Sequence, residues 1–243
     1  MAQCDVCGSK EATIYQPHIG RKVCNDCFKN EIVNRVKWQI EKYNMIRHND
    51  RVLLGLSGGK DSFTLLDILV QIHDPNKIIT LTIVEGVEGY NRESEVERVK
   101  KYTKEYGVDC IITSLKQEYD FRLDEIVKRA WEMNVDESPC TFCGILRRRT
   151  LNKYARMLGV DKTVTAHNLD DEVQTVVINI IRGDINRLLR QHPLAPKLSN
   201  LLVQRVKPMR MVYEWESALY AYLKGFTFQE VECPYINLRP TLR

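Results

Sequence analysis

Six consecutive residues, Ser57-Gly58-Gly59-Lys60-Asp61-Ser62, constrain this chain more than any other stretch. They follow the apolar run Val52-Leu53-Leu54-Gly55-Leu56 and precede Phe63-Thr64-Leu65-Leu66-Asp67-Ile68-Leu69, whose apolar residues fall at helical spacing. The pattern predicts a strand, a tight glycine turn and a helix. Adjacent glycines let backbone N–H groups converge on an anion, and the helix N-terminus adds its positive end. Lys60 adds a full charge for phosphate oxygens, and Ser57 and Ser62 add hydroxyls. A Walker A loop is excluded, because that pattern needs glycine at 54 and Ser or Thr at 61, where this chain has Leu54 and Asp61.

In its strand–turn–helix setting the hexapeptide resembles the PP-loop of the ATP pyrophosphatase superfamily, whose members cleave ATP to AMP and pyrophosphate. The resemblance implies a loop that holds the leaving pyrophosphate while a substrate oxygen attacks the α-phosphate.

A length of 243 residues suits one α/β domain with a small appendage. No apolar stretch is long enough to span a bilayer and no signal-peptide core is visible, so the expectation is a cytoplasmic protein without membrane contact. Eight cysteines in such a chain argue for metal or redox chemistry rather than disulfides. Cys110, beside Ile111-Ile112, reads as packing in a strand.

Residues 1–30 read as a separate module. Cys4-x-x-Cys7 and Cys24-x-x-Cys27 are two knuckles with sixteen residues between them, close to the four-cysteine pattern of a structural zinc ribbon. A unit this small with few large apolar groups would draw its folding energy from metal. Two unrelated redox pairs are the alternative, and His18 reads as a surface residue of the intervening hairpin. A linker helix is expected from Glu31 to His48, so the body begins near residue 50 and runs to 243.

The body alternates strands with helices, which predicts a parallel, doubly wound, Rossmann-like sheet. Strands are expected at 52–56, 78–84, 110–113 and within 161–167, with helices at 93–106 and 121–133. The second strand ends at Val84-Glu85-Gly86, and open α/β sheets bind ligands beyond strand C-termini. After the fourth strand, His167-Asn168-Leu169-Asp170-Asp171-Glu172 reads either as a magnesium or phosphate site or as acids capping a helix.

Cys140-Thr141-Phe142-Cys143 opens a helix followed by Arg147, Arg148 and Arg149, which should lower the thiol pKa values. Three cysteines suit an iron–sulfur cluster with one open iron better than zinc, and Cys233, before Pro234, is the candidate third. A redox dithiol with Cys233 as bystander is the alternative. Arg147 to Arg149, Lys153 and Arg156, then Arg182, Arg187 and Arg190, then Arg205, Lys207 and Arg210, read as phosphate-backbone contacts or as a solvated face. The stretch from Gln191 to Asn200 reads as a loop that orders with RNA.

Together the N-terminal cysteine pairs, the hexapeptide, Cys140-Thr141-Phe142-Cys143-Gly144, His167 to Glu172, Ile181-Arg182-Gly183-Asp184 and Glu232-Cys233-Pro234-Tyr235 resemble the TtuA/TtcA family of tRNA 2-thiouridine synthetases, in its archaeal and eukaryotic cytosolic branch. The resemblance implies a 4Fe-4S cluster on Cys140, Cys143 and Cys233, and zinc on Cys4, Cys7, Cys24 and Cys27. It implies ATP with magnesium at Leu54, Gly55, Ser57 to Ser62, Val84, Arg147, His167 and Asp170, with Lys60, Asp61 and Asp170 catalytic. The substrate would be a tRNA uridine, splayed out of its stack, adenylated at its C2 oxygen and then thiolated. The cysteine motif followed by arginines favours the wobble uridine over the T-loop uridine. A thiocarboxylated ubiquitin-like protein or sulfide would donate sulfur, and a homodimer is expected. Two departures stand out. Arg147 replaces a lysine of some relatives, and the chain stops at Thr241-Leu242-Arg243, so the family's C-terminal zinc module is expected to be absent. The rivals are a PP-loop ligase or amidating enzyme without a cluster, and a zinc-ribbon RNA-binding protein with an inert nucleotide fold.

Overall fold

A computed structural model describes residues 2–90, 93–194, 199–228 and 231–238. The chain opens with a two-stranded antiparallel hairpin, β1 (Ile14–Gln16) and β2 (Arg21–Val23), and enters helix α1 (Asn25–Lys42). The body then runs β3 (Val52–Gly55), α2 (Lys60–Ile72), a 3-10 turn (Pro75–Lys77), β4 (Ile78–Val84), α3 (Glu93–Glu105), β5 (Asp109–Ser114), α4 (Leu115–Tyr119) and α5 (Leu123–Glu132). It continues with α6 (Pro139–Met157), β6 (Lys162–Val164), α7 (Leu169–Ile181), α8 (Ile185–Leu189), β7 (Gln204–Val206), α9 (Glu214–Leu223) and a 3-10 segment (Pro234–Leu238).

The five body strands form one parallel sheet in the order β5-β4-β3-β6-β7. Strands buried on both faces need continuous apolar runs, and Val52, Leu53 and Leu54 of β3 are fully buried. From β3 the chain steps outward to β4 and β5, then returns to add β6 on the other side. The loop after β3 therefore leaves the sheet at the point where strand order reverses, where open α/β sheets form their ligand crevice.

Three expectations change. The linker helix starts at Asn25 rather than Glu31 and ends at Lys42 rather than His48, so Cys27 sits in its first turn and a boundary at residue 30 falls inside α1. Phe28, Ile32, Val36 and Ile40 make its buried stripe. The N-terminal module does not lack a core. Cys4, Ile14, Val23 and Phe28 join the same apolar cluster as Phe63, Met209 and Tyr220 of the body. Finally, β7 and α4 were not expected, because three strand residues around Arg205 and a single helical turn carry too little periodicity. Residues 195–198 of the expected RNA loop, and Thr241 to Arg243, lie outside the described residues.

Candidate active site

At the end of β3, Thr82 donates to the Leu56 carbonyl at 2.7 Å, fixing where the loop begins. Gly58 turns the chain at φ +81°, a conformation that side chains rarely adopt. The N-cap of α2 is Gly59, which has no side chain to satisfy the helix's first N–H groups. Those donors, with the helix dipole, make an anion site. Ser62 donates to the Gly59 carbonyl at 2.8 Å, and Ser57 Oγ accepts from the Gly59 N–H at 3.4 Å.

Lys60 lies between Asp61, at 3.2 Å, and Glu214, at 3.0 Å. Burial pulls its pKa down, but Asp61 and then Glu214 outweigh that and hold it above the ordinary lysine value. Glu214 opens α9, and its N–H donates to Asp170 at 2.7 Å. Asp61, Lys60, Glu214 and Asp170 thus knit the starts of α2, α9 and α7 into one corner. The second oxygen of Asp61 is buried and has no hydrogen-bond partner among the described residues. An orphaned carboxylate oxygen beside a phosphate-type loop fits a magnesium ion.

The rest of the acidic stretch divides. Asn168 and Asp171 form a reciprocal capping box on α7, and Glu172 pairs with Lys207 and, at 3.7 Å, with Arg210. His167 pairs with the Thr165 hydroxyl at 3.0 Å. Of the acids there, Asp170 alone reaches the Lys60 corner through the contacts described.

Beside the glycine turn, a small cleft, partly open to solvent, is lined by Ser57, Val84, Glu85, Tyr90, Glu95 and Arg147 among others. Ser57, Val84 and Arg147 were expected from the sequence. Leu54 and Gly55 are in the sheet, Leu54 fully buried and Gly55 packed near Val164, and they do not line the cleft. Glu85, Tyr90 and Glu95 were not assigned. Their one signal was position, Glu85 at a strand C-terminus and Glu95 four residues before buried Val99 on one helical face.

Arg147, on α6, stands 3.4 Å from Glu85, which holds its guanidinium above the ordinary arginine value. Cys140 and Cys143 begin the same helix, where Ser138 accepts from the Cys140 N–H at 3.2 Å. Cys143 and Cys233 pack in one apolar cluster with Phe142, Leu146 and Tyr235. Asp124 holds this corner together. One of its oxygens accepts from Tyr235 at 2.7 Å and the other from the Glu88 N–H at 2.9 Å. The Cys143 thiol is not lowered as expected. Burial, then Glu85, pushes Cys143 up to about 11, with Arg147 opposing, and burial raises Cys233. Burial and a carboxylate outweigh the helix end, and Arg149 sits over the Tyr119 ring rather than beside the thiols.

The four N-terminal cysteines have ligand atoms all within 4.8 Å of one another, the spacing a single tetrahedral ion requires. Cys140, Cys143 and Cys233 are not gathered that tightly. Ligands to different irons of a cluster need not be, so the three-thiol set fits a cluster better than a lone ion. The α9 helix ties the N-terminal module to the body. Phe28 of the module lies 6.1 Å from Trp215, and Arg35 pairs with fully buried Glu216 at 2.5 Å. His18 leans on Tyr213 at 4.9 Å and is not one of the four clustered ligands. The basic residues also divide. Lys153 pairs with Glu118 and Arg187 with Asp184, whereas Arg148, Arg149, Arg182 and Arg205 are exposed.

A family profile described as PP-loop domain matches residues 29–232. A probable sulfurtransferase of Methanocaldococcus jannaschii is 37% identical over 237 residues, covering 96% of this chain and 68% of that protein. Cytoplasmic tRNA 2-thiolation protein 1 of Eremothecium gossypii is 36% identical over 236 residues, covering 96% of this chain and 62% of that protein. The U34-tRNA thiolase NcsA of Methanococcus maripaludis, solved with its 4Fe-4S cluster, matches with a TM-score of 0.80 at 32% identity, covering 96% of this chain and 75% of that one. The chain thus spans 62% to 68% of the length of these two curated relatives. Among the described residues no helix is long and apolar enough to cross a membrane. Loop, sheet order and similarity agree: the chain belongs to the PP-loop family, on the branch that holds the TtuA- and Ncs6-type tRNA thiolation proteins.

Proposed function

We propose that this chain is an ATP-dependent tRNA-uridine 2-sulfurtransferase acting on the wobble uridine. One observation carries the reading. Helix α6 begins with Cys140 and Cys143 and, one turn later, contributes Arg147 to the cleft that Ser57 and Val84 also line. Nucleotide activation and thiol-held sulfur chemistry would therefore meet on one rigid element. The relatives named for tRNA 2-thiolation and for U34 support the substrate and its position.

In this reading the Gly58–Ser62 turn and Lys60 bind the β- and γ-phosphates and offset charge on the departing pyrophosphate. Asp61 and Asp170 orient magnesium, and Val84 meets the adenine through its backbone. The uracil O2 attacks the α-phosphorus as the N3 proton is lost, the P–O bond to pyrophosphate breaks, and an adenylated base forms. Arg147, steered by Glu85, stands where negative charge develops. A 4Fe-4S cluster on Cys140, Cys143 and Cys233, with one iron lacking a protein ligand, would supply the sulfur that bonds to C2. AMP leaves with the former O2. Phe142, Leu146 and Tyr235 keep bulk water from the thiol corner.

Zinc on the four N-terminal cysteines is structural in this account, because four thiolates leave no open position. The organisation we propose is an N-terminal metal-binding unit whose last ligand, Cys27, lies in the first turn of α1, with α1 leading on to a catalytic domain over 50–243. The setting is the cytoplasm, the assembly a homodimer, and the sulfur donor a thiocarboxylated ubiquitin-like protein or sulfide. Replacing Cys233 with alanine should abolish thiolation of tRNA, read by nucleoside mass spectrometry, and leave ATP binding near that of the wild type. Undiminished thiolation would refute the assignment. A colourless protein, purified anaerobically and fully active, would favour the ligase alternative.

A further inference from the structure

Helix α3 forms one wall of the cleft through Glu95, Val96 and Val99. Glu95 is nine-tenths buried, at 9% exposure. One of its carboxylate oxygens pairs with Arg98 at 2.6 Å. The other, Oε2, is buried and has no hydrogen-bond partner among the described residues. A buried acceptor left without a donor is costly, so such groups in a binding cleft await one from a ligand. An arginine-paired carboxylate can only accept. The missing group is therefore a donor or a cation.

Position along the cleft identifies it. A Cβ added to Gly58 would come within 3.7 Å of Val99, so Val99 abuts the glycine turn. Glu95 lies four residues before Val99 on the same helical face, about 6 Å away along the helix. From the phosphate end toward Val84, the next portion of a bound nucleotide is its sugar. We propose that Glu95 accepts a hydrogen bond from a ribose hydroxyl of ATP, making this cleft selective for ribonucleotides over deoxyribonucleotides. The proposal rests on the reading of this cleft as the ATP site. Carboxylates take the same role toward ribose in dinucleotide-binding folds, at an unrelated position.

The test is calorimetric binding, without tRNA, of ATP, 2′-deoxy-ATP, 3′-deoxy-ATP and ITP to the full chain. The wild type should bind one deoxy analogue about tenfold or more weakly than ATP. Glu95→Met, similar in length and without an acceptor, should bind ATP that much more weakly and no longer distinguish it from that analogue. Glu95→Gln, which keeps one acceptor oxygen, should recover part of the discrimination. Arg98→Ala, which removes the ion pair but keeps the carboxylate, should retain it, separating ribose contact from helix stability. Discrimination by Glu95→Met equal to that of the wild type would overturn the proposal. So would a loss confined to discrimination against ITP, which would put the donor on the base. A wild type that binds ATP no better than Lys60→Ala would instead overturn the cleft's assignment, and this proposal with it.

Discussion

Gly86 follows the C-terminal end of β4, at the edge where the cleft and the cysteine corner meet. Its φ is +76°, and a Cβ built there would lie 2.9 Å from both Cβ and Cγ of Arg122 and 3.4 Å from its Cα. Cβ is fixed to the backbone, so Arg122 cannot swing clear. Gly86→Ala should therefore cost about 1 kcal/mol for the left-handed backbone and about 1–3 kcal/mol for overpacking. For a chain of this size that is a melting-temperature drop of roughly 4–16 °C. Gly89→Ala is the control. Its φ is +74°, yet nothing lies within 4 Å of the added Cβ, so it should lose only the backbone term, roughly 2–4 °C. Arg122→Gly in the Gly86→Ala background removes both clashing atoms, and glycine is tolerated at this helix N-cap. It should restore most of the difference between the two alanine variants. The Leu123 N–H donates to the Glu85 carbonyl at 2.9 Å, so wedging these segments apart would also loosen Glu85 from Arg147. Thiolation should fall in Gly86→Ala at temperatures where the protein is still folded. Equal melting shifts for the two alanine variants, or no recovery with Arg122→Gly, would refute the steric argument.

Three further outcomes are expected. Asp67, nearly fully buried, accepts from Tyr106 at 2.5 Å, Tyr220 at 2.6 Å and Lys224 at 2.9 Å, tying α2 to α3 and α9. Asp67→Ala should cost about 3–5 kcal/mol and Tyr220→Phe about 1 kcal/mol in urea unfolding. Glu118, bound to Thr113, Tyr154 and Lys153, braces α4 against α6. Burial raises its pKa, but bonds from Lys153, Thr113 and Tyr154 outweigh it and set the folded value below the ordinary one. Its stabilisation is therefore present above the unfolded carboxyl value and lost as pH falls through the folded value, so the stability gap to Glu118→Gln should be full at pH 7 and shrink on acidification below pH ~4. Ser9 hydrogen bonds hold the Cys7 thiol down to about 6, whereas burial pushes Cys27 up to about 12. Cys27→Ser should release bound zinc, counted by elemental analysis, and lower the melting temperature, whereas an unchanged zinc content would refute the four-thiol site.

The strand–turn–helix around Gly58, the capping acids after Asn168 and the two N-terminal cysteine pairs were legible in the chain, because each depends on residues a few positions apart. Backbone sterics and helix-end chemistry decide such features locally. The shared core of the N-terminal module was not legible, since Phe28 meets Trp215 only after the chain has wound the whole sheet. Nor was the raised pKa of Cys143, which local arginines argued against, because Glu85 and burial are supplied by other elements.

Residue types and their spacing alone determined that a phosphate-type loop, a pair of cysteine knuckles spaced to hold a metal and a helix-opening cysteine pair would exist. Only the tertiary structure decided that Cys233 packs in the same apolar cluster as Cys143, that Glu214 bridges Lys60 to Asp170, and that α3 turns Glu95 into the cleft. The reason is physical. Contacts between distant segments follow from how β3, β4 and the helices between them pack, and packing is a property of the assembled sheet rather than of any window of sequence.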